Sequence, residues 1–383
     1  MKWHIHIGPN KTATTSIQAV FANSRVHLKQ KGILYPESGC VSNAHHIINF
    51  SFSVEFNSQA PMAEVFAIDH IPKIDEIIAN IKSEAEANGC ANVILSSETF
   101  WRWRELMIKR LREVLGDDEV TIIMALRPSL ERELSMWQEE VKHGYVGTVI
   151  DYLRIYSDTA KSSTKAPYYD VARVWKSCGF SVKVIPFMRC DNTNIWDLLL
   201  REIYKGDDIK LKVHEAYDLN ISIDYMAIAT MQKSFLKAML QPSLSMTRMA
   251  RDRLFPVHLA VTIRDLAINL VKKQAPSNLP AYIEFFKDEQ HLEISENWSE
   301  LFMRDITLLE NVIDIECNFD ILKKLPSLRV INFGFEEKQE LLKIERKADE
   351  ISDVVIDSII KRGNIMNKLK FYNVKKYFSR GQD

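Results

Sequence analysis

The chain has 383 residues, of which 46% are hydrophobic and 26% are charged, a composition typical of a folded protein with a sizeable core. Its 50 Lys and Arg residues nearly cancel its 51 Asp and Glu residues, so overall charge gives no reason to expect nucleic acid or an anionic membrane as partner. The five cysteines are widely spaced and form no C-x-x-C pair, which disfavours a disulfide framework and a structural zinc site. No stretch approaches the roughly 18 uninterrupted apolar residues of a membrane span, so we expect a cytoplasmic protein without a transmembrane segment.

In the first half of the chain, short β-rich runs alternate with helical patterns. In chain order these are WHIHIG, TTSIQAVFANSRVHLKQKG, ILYP, IPKIDEIIANIKSEAEANG, NVILSS, RELMIKRLREVLG and EVTIIMALR, followed by YYDVARVWKSCGF, SVKVIPF and TNIWDLLLREIY. The alternation predicts an α/β fold with three layers around a central, mostly parallel sheet. The strands VILSS and TIIMAL are almost wholly apolar and should be central, with helices on both faces.

Beyond about residue 222 the pattern becomes helical, which predicts an α-rich C-terminal half. We therefore expect a core over 1–220, a helical accessory or cap region over 221–317, and a C-terminal part over 318–383. That last part contains the strand candidate SLRVINFG, a long charged helix and a basic, aromatic tail. The tail can contact an anionic lipid surface or polysaccharide, with a solvated end as the alternative.

The loop GPNKTATTS follows the first strand directly and leads into the first helix. A strand, a turn and a helix start near Thr14 would place several unpaired backbone N–H groups around one point, which suits a phosphate-like anion. Lys11 adds a full charge, worth of order 4 kcal/mol at about 4 Å before desolvation. Hydroxyl donors come from four residues, Thr12, Thr14, Thr15 and Ser16. The alternative is an ordinary capped helix with solvated hydroxyls.

This loop is not the cradle of a nucleoside triphosphate, because Asn10 stands where G-x-x-x-x-G-K-[ST] needs a glycine before the lysine. It closely resembles the 5′-phosphosulfate loop of the sulfotransferases that use 3′-phosphoadenosine 5′-phosphosulfate (PAPS). The resemblance implies a P-loop-like fold, PAPS as donor, the desulfated nucleotide (PAP) as product, no metal, and phosphosulfate binding by Lys11 and the hydroxyls after it. It covers about residues 3–235 and is nearest to bacterial members.

A second segment, LRPSLERELS, places Arg127 at a strand end and Ser135 eight residues later on a helix. This spacing resembles the 3′-phosphate site of the same family. A guanidinium offers bidentate donors to a phosphate, and a serine one to two helical turns away offers a third. By itself, an arginine after an apolar strand is more often a surface or ion-pair residue.

The acceptor hydroxyl must lose a proton, and Glu98 is the first candidate base. It follows the apolar strand VILSS at the sheet edge where open α/β sheets build their sites. Glu98 could instead be a helix-start charge or bind the acceptor. The second candidate is His45 or His46, in the loop after the second strand, although at least one of this pair should be structural. His4 and His6 share a strand face but lack further metal ligands, so no metal site is predicted.

The segment SETFWRWRE places Trp101 and Trp103 near the candidate base, with Arg102 and Arg104 beside them. Aromatic and cationic residues next to a cleft suit sugar rings and anionic groups, although amphipathic packing explains them equally well. We therefore expect a carbohydrate or glycolipid acceptor. Two other functions stay open: a small-molecule or nucleoside kinase with a degenerate loop, and a non-catalytic nucleotide-binding protein.

Overall fold

The computed structural model divides the chain into two compact units, each assembled from separate segments. The first unit takes Met1–Arg132, Asp158–Ile221 and Ser295–Leu328, and the second takes Glu133–Ser157, Ser222–Ile294 and Arg329–Asp383. The structure describes residues 1–57, 66, 68, 70–160, 168–187, 194–204, 211, 225–240, 257–274, 291–313 and 335–378. The boundaries expected at 220/221 and 317/318, and the strand candidate SLRVINFG, lie outside these ranges, so they stay predictions.

The first unit is built on five parallel strands in the order β2-β3-β1-β4-β5. The strands are β1 (Lys2–His6), β2 (Ile33–Leu34), β3 (Asn92–Ser96), β4 (Glu119–Leu126) and β5 (Ser181–Pro186). In register, Lys2 of β1 pairs with Asn92 of β3 on one side and with Glu119 of β4 on the other. The expected α/β class and parallel sheet are thus confirmed.

Helices cover both faces of this sheet. One face packs Trp3, Ile5 and Ile7 against α3 (His46–Asn57), α4 (Ile74–Ala87), α5 (Glu105–Leu115) and α8 (Tyr168–Ser177). The other face packs Ile94 and Ile123 against α1 (Thr14–Asn23), α2 (Arg25–Lys29) and α9 (Ile195–Ile203). Central strands buried on both faces explain the unbroken apolar runs in the sequence.

The helices after the neighbouring strands β1 and β3 lie on opposite faces of the sheet. The helix α1 follows β1 on one face, and α5 follows β3 on the other. Their connections therefore diverge at the carboxyl ends of β1 and β3. Open α/β sheets bind ligands at such a point. The sequence places the loop 7–13 and Glu98 at this edge.

The first unit also contains most of α12 (His291–Glu310), whose Phe302, Ile306 and Leu309 belong to the same hydrophobic core as Trp3. Their spacing of four and three residues is that of one helix face. In the second unit, α10 (Tyr225–Leu240) packs against α11 (Val257–Gln274) and α13 (Phe335–Phe378). The remaining helices of the described residues are α6 (Ser129–Lys142), whose first four residues belong to the first unit and the others to the second, and α7 (Val149–Ala160).

Three helices differ from the expectations. The first predicted helix is divided at Ser24, whose N–H already closes α1 on Val20 and Phe21. The charged C-terminal helix is longer than expected, because α13 runs on to Phe378 through most of the segment expected to be a tail. His46 opens α3 rather than lying in a loop.

Among the described helices, none is both long and apolar enough to cross a membrane.

Candidate functional site

The loop between β1 and α1 has an unusual backbone. Lys11 (φ 68°) and Ala13 (φ 56°) both adopt the left-handed conformation, which costs a residue with a side chain roughly 1–2 kcal/mol. Gly8 also has a positive φ of 90°, and a Cβ there would lie 3.2 Å from the Cα of Glu98. Strain of this kind persists where the surroundings impose it, most often at ligand sites. The loop is therefore held in one shape directly against the segment that carries Glu98.

The N-terminus of α1 could accept an anion. Its N-cap residue is Ala13, which makes no side-chain cap, and its first turn contains no acidic residue. The first N–H groups of a helix have no partner within the helix and carry a partial positive charge. A phosphate or sulfate group would satisfy them. Lys11, two residues before the N-cap residue, adds a positive charge near this end of the helix.

The four candidate hydroxyls divide into two pairs. Thr12 Oγ1 donates to the Pro9 carbonyl at 2.6 Å, and Thr14 Oγ1 donates to the same oxygen at 3.4 Å. Both side chains are buried, so these hydroxyls hold the loop together. Thr15 is exposed and Ser16 is half-buried. A ligand at the loop would thus meet the hydroxyls of the second pair.

Arg127 lies directly after β4 and reaches the same loop. Its Nη1 donates to the Lys11 carbonyl at 2.9 Å, while Nε contacts Glu131 Oε2 at 3.4 Å. The guanidinium carbon lies 5.3 Å from the Phe187 ring centre. The two cationic residues expected to hold one nucleotide are therefore neighbours, although 116 positions separate them. Ser135 is half-buried on α6, in the part of that helix that belongs to the second unit.

Glu98 opens a short 3₁₀ helix, Glu98–Arg102, at the carboxyl end of β3. The preceding residue, Ser97, caps this turn by accepting the N–H of Thr99 at 3.3 Å. The carboxylate has two side-chain neighbours: Oε2 accepts a hydrogen bond from Gln18 Nε2 at 3.1 Å, and Oε1 lies 3.9 Å from His46 Nε2. With 32% of its side chain exposed, Glu98 is fixed in direction yet open to solvent.

His46 lies between Ser97 and Glu98. Its Nδ1 is 2.8 Å from Ser97 Oγ, and its Nε2 faces the Glu98 carboxylate. Burial lowers the pKa of His46, and the charge of Glu98 only partly opposes this effect. The imidazole is therefore neutral at pH 7. The rings of Phe50 and Phe66 lie 6.3 and 5.8 Å from the imidazole.

His45 serves the core instead. It is fully buried, its Nδ1 accepts the Ser96 N–H at 3.1 Å, and its ring meets the Tyr35 ring edge-on at 4.8 Å. Burial lowers the pKa of His45 to about 3. Of the histidine pair, His46 is the one that contacts Glu98.

The histidines of β1 are also part of the packed sheet. His6 Nδ1 lies 2.9 Å from Ser96 Oγ, and His4 Nε2 lies 3.2 Å from Asn92 Oδ1. Burial lowers the pKa of both, that of His6 to about 4. Across the residues that the structure describes, no group of three His, Cys, Asp or Glu side chains is arranged to hold a metal ion.

The two tryptophans after Glu98 have different surroundings. Trp103 is in the core, where its Nε1 donates to Asn49 Oδ1 at 2.7 Å and its ring lies 5.8 Å from Trp175. Packing therefore accounts for Trp103. Trp101 is half-buried with its ring edge-on to Tyr168 at 5.6 Å, so part of its surface is open to solvent.

Sequence reasoning missed Gln18 and Tyr168. Gln18 is 4% exposed. The sequence signal that could have found it is a polar residue next to the apolar residues on the buried face of α1. Tyr168 is 1% exposed, and its hydroxyl donates to the Arg127 carbonyl at 2.7 Å. It stood within a predicted helix as an ordinary aromatic residue, and no local pattern marks its hydroxyl.

No family model matches the chain, and no curated protein or solved structure matches it. The function is therefore inferred from the site itself and from the motifs that the sequence carries.

Proposed function

We propose that this chain is a PAPS-dependent sulfotransferase with a P-loop-like core. It moves the sulfuryl group from PAPS to a hydroxyl of a saccharide or glycolipid acceptor. The observation that carries the proposal is the 2.9 Å hydrogen bond from Arg127 to the Lys11 carbonyl. It joins the two motifs that resemble the 5′-phosphosulfate and 3′-phosphate sites of the sulfotransferases.

The surroundings of the loop support an anionic ligand with two charged groups. The uncapped start of α1 and Lys11 provide one positive region, and the Arg127 guanidinium provides a second beside it. Arginine suits a phosphate because its donors form a planar fork. A nucleotide with phosphate groups at both its 5′ and 3′ positions would use both regions. Thr15 and Ser16 add hydroxyl donors at the first.

The proposed reaction asks for positioning and charge stabilisation rather than covalent catalysis. The bound donor supplies the sulfuryl group, and the acceptor oxygen forms the new bond to sulfur while the bond between sulfur and the nucleotide phosphate breaks. Glu98 accepts the proton of the acceptor hydroxyl, and the hydrogen bond from Gln18 keeps its carboxylate aimed. Lys11 stabilises the negative charge that develops on the leaving phosphate oxygen. The resemblance implies that this step needs no metal.

The proposal is tested by incubating the protein with PAPS and a panel of saccharides and glycolipids. We expect PAP release together with an acceptor whose mass increases by one sulfuryl group. The control variant Glu98→Gln should keep nucleotide binding and lose turnover. A phosphorylated product formed from ATP and magnesium, with no sulfated product from PAPS, would support a kinase instead.

A further inference from the structure

Asp305, on α12, caps a helix far from it in sequence. Its two carboxylate oxygens accept the backbone N–H groups of Tyr168 at 2.6 Å and of Tyr169 at 2.8 Å, at the start of α8. The side chain is buried, with 6% of its surface exposed. A carboxylate is favourable at a helix N-terminus, where it satisfies otherwise unpaired N–H groups. Asp305 therefore fixes the position of Tyr168.

Tyr168 in turn holds the backbone of Arg127. Its hydroxyl donates to the Arg127 carbonyl at 2.7 Å and lies 3.4 Å from the Arg127 N–H. The tyrosine ring is enclosed by Trp101 at 5.6 Å and Phe302 at 6.1 Å. The Arg132 guanidinium lies 5.2 Å from the same ring. The hydroxyl thus has little freedom to leave its partner.

The chain of contacts ends at the anion loop. The Arg127 backbone is bound by Tyr168, and the Arg127 guanidinium is bound to the carbonyl of Lys11. Lys11 is one of the loop residues in the left-handed conformation, so its carbonyl direction is part of the strained geometry. Three hydrogen bonds of 2.6–2.9 Å therefore link α12 to Lys11 through Tyr168 and Arg127.

We propose that Asp305 and Tyr168 are positioning residues for the anion loop, so that α12 is part of the donor site. They touch no ligand and act by setting the place of Arg127 and, through it, the carbonyl of Lys11. Phenylalanine would fill the space of Tyr168 equally well, so the hydroxyl serves the bond to Arg127. The identity of the ligand in this inference rests on the proposed function, whereas the linkage itself does not.

The test compares Tyr168→Phe with Tyr35→Phe. Tyr35 is a matched control because it is also fully buried and its hydroxyl donates to a backbone carbonyl, that of Asn43 at 2.6 Å. Each variant is titrated with PAP, and amide hydrogen exchange is followed in the loop 8–16. Measurements are made at equal distances below each protein's own thermal midpoint, so that a general loss of stability affects both variants alike.

We expect Tyr168→Phe to weaken PAP binding about three- to tenfold, the effect of losing one buried hydrogen bond, and to speed exchange in the loop. Tyr35→Phe should change both by less than about twofold. As a second pair, Asp305→Asn keeps one acceptor oxygen and should retain more of the loop protection than Asp305→Ala. Equal effects of Tyr168→Phe and Tyr35→Phe on the loop would overturn the inference. If the wild-type protein binds no PAP, the proposed function fails and the exchange comparison alone decides the linkage.

Discussion

Glu98 and His46 face each other across 3.9 Å, with the carboxylate Oε1 opposite the imidazole Nε2. The two residues are alternative candidates for the general base, and the fold brings them into one cluster. His46 is 11% exposed and its pKa is lowered by burial, whereas Glu98 is 32% exposed and also held by Gln18. The greater exposure of Glu98 and its hydrogen bond from Gln18 support the proposed role of Glu98 as the base, with His46 as its neighbour.

We therefore expect Glu98→Gln to reduce turnover by roughly 10²–10⁴-fold, because the amide cannot accept the acceptor proton. Its PAP affinity should stay close to that of the wild type. His46→Gln should cost only about tenfold, since the carboxylate remains. Turnover and PAP titration of both variants give the comparison. A large loss in His46→Gln with a small one in Glu98→Gln would make His46 the base.

Gly8 should not tolerate a side chain. Its φ of 90° and the 3.2 Å approach of an added Cβ to the Glu98 backbone both oppose Gly8→Ala. Gly89→Ala is the control, because Gly89 also has a positive φ (63°) but nothing lies within 4 Å of an added Cβ. We expect Gly8→Ala to lower the free energy of unfolding by about 1–3 kcal/mol more than the control does. Denaturant unfolding measures it, and equal losses would mean that the loop can move away from Glu98.

Asp305 should make stability depend on pH in mildly acidic solution. The pKa of Asp305 is raised to about 6, mainly by burial and to a smaller extent by the charge of Asp170. The hydrogen bonds from the backbone N–H groups of Tyr168 and Tyr169 and the charge of Arg132 lower the pKa, but they only partly offset the effect of burial. The folded state then binds a proton more tightly than the unfolded state. This contribution to stability is fully present below about pH 4, the pKa of Asp305 in the unfolded state, and is lost as the pH rises through about 6, its pKa in the folded state.

The comparison protein for this effect is Asp305→Asn, which cannot titrate at this position. Going from pH 7.5 to pH 5, the wild type should gain roughly 1 kcal/mol of unfolding free energy relative to the variant. Denaturant unfolding of both proteins at the two pH values gives the difference. A wild type that loses stability relative to Asp305→Asn over this interval would contradict the raised pKa.

The sheet was predictable because its strands are short apolar runs between clear helical patterns. All five predicted strands of the first half exist, and β3 ends at Ser96, within the predicted run NVILSS, which places Glu98 at the sheet edge. The helix α3 was missed because HIINFSFSVEFN mixes aromatic and β-branched residues without a clean helical period, and tertiary packing of Ile48 and Phe52 decides its conformation.

The motif residues of the candidate site could be found from the sequence, but the residues that hold them in place could not. Lys11, Arg127 and Glu98 follow strand ends, where residue type and place already indicate function. Gln18 and Asp305 follow no strand end, and a glutamine or an aspartate on a helix acquires a role only when the fold brings a partner to it. The backbone strain in the loop could not be predicted from the sequence either, since the left-handed conformation of Lys11 is imposed by tertiary contacts.

The central claim is that Lys11 and Arg127 form one site for a nucleotide with 5′ and 3′ phosphates. Isothermal titration with PAP tests it most directly, with magnesium ATP as the competing ligand in a parallel run. We predict micromolar PAP binding by the wild type, loss of binding in Lys11→Ala, and a loss of about 2–5 kcal/mol in Arg127→Ala. No PAP binding, tighter binding of magnesium ATP, or unchanged PAP affinity in both variants would contradict it.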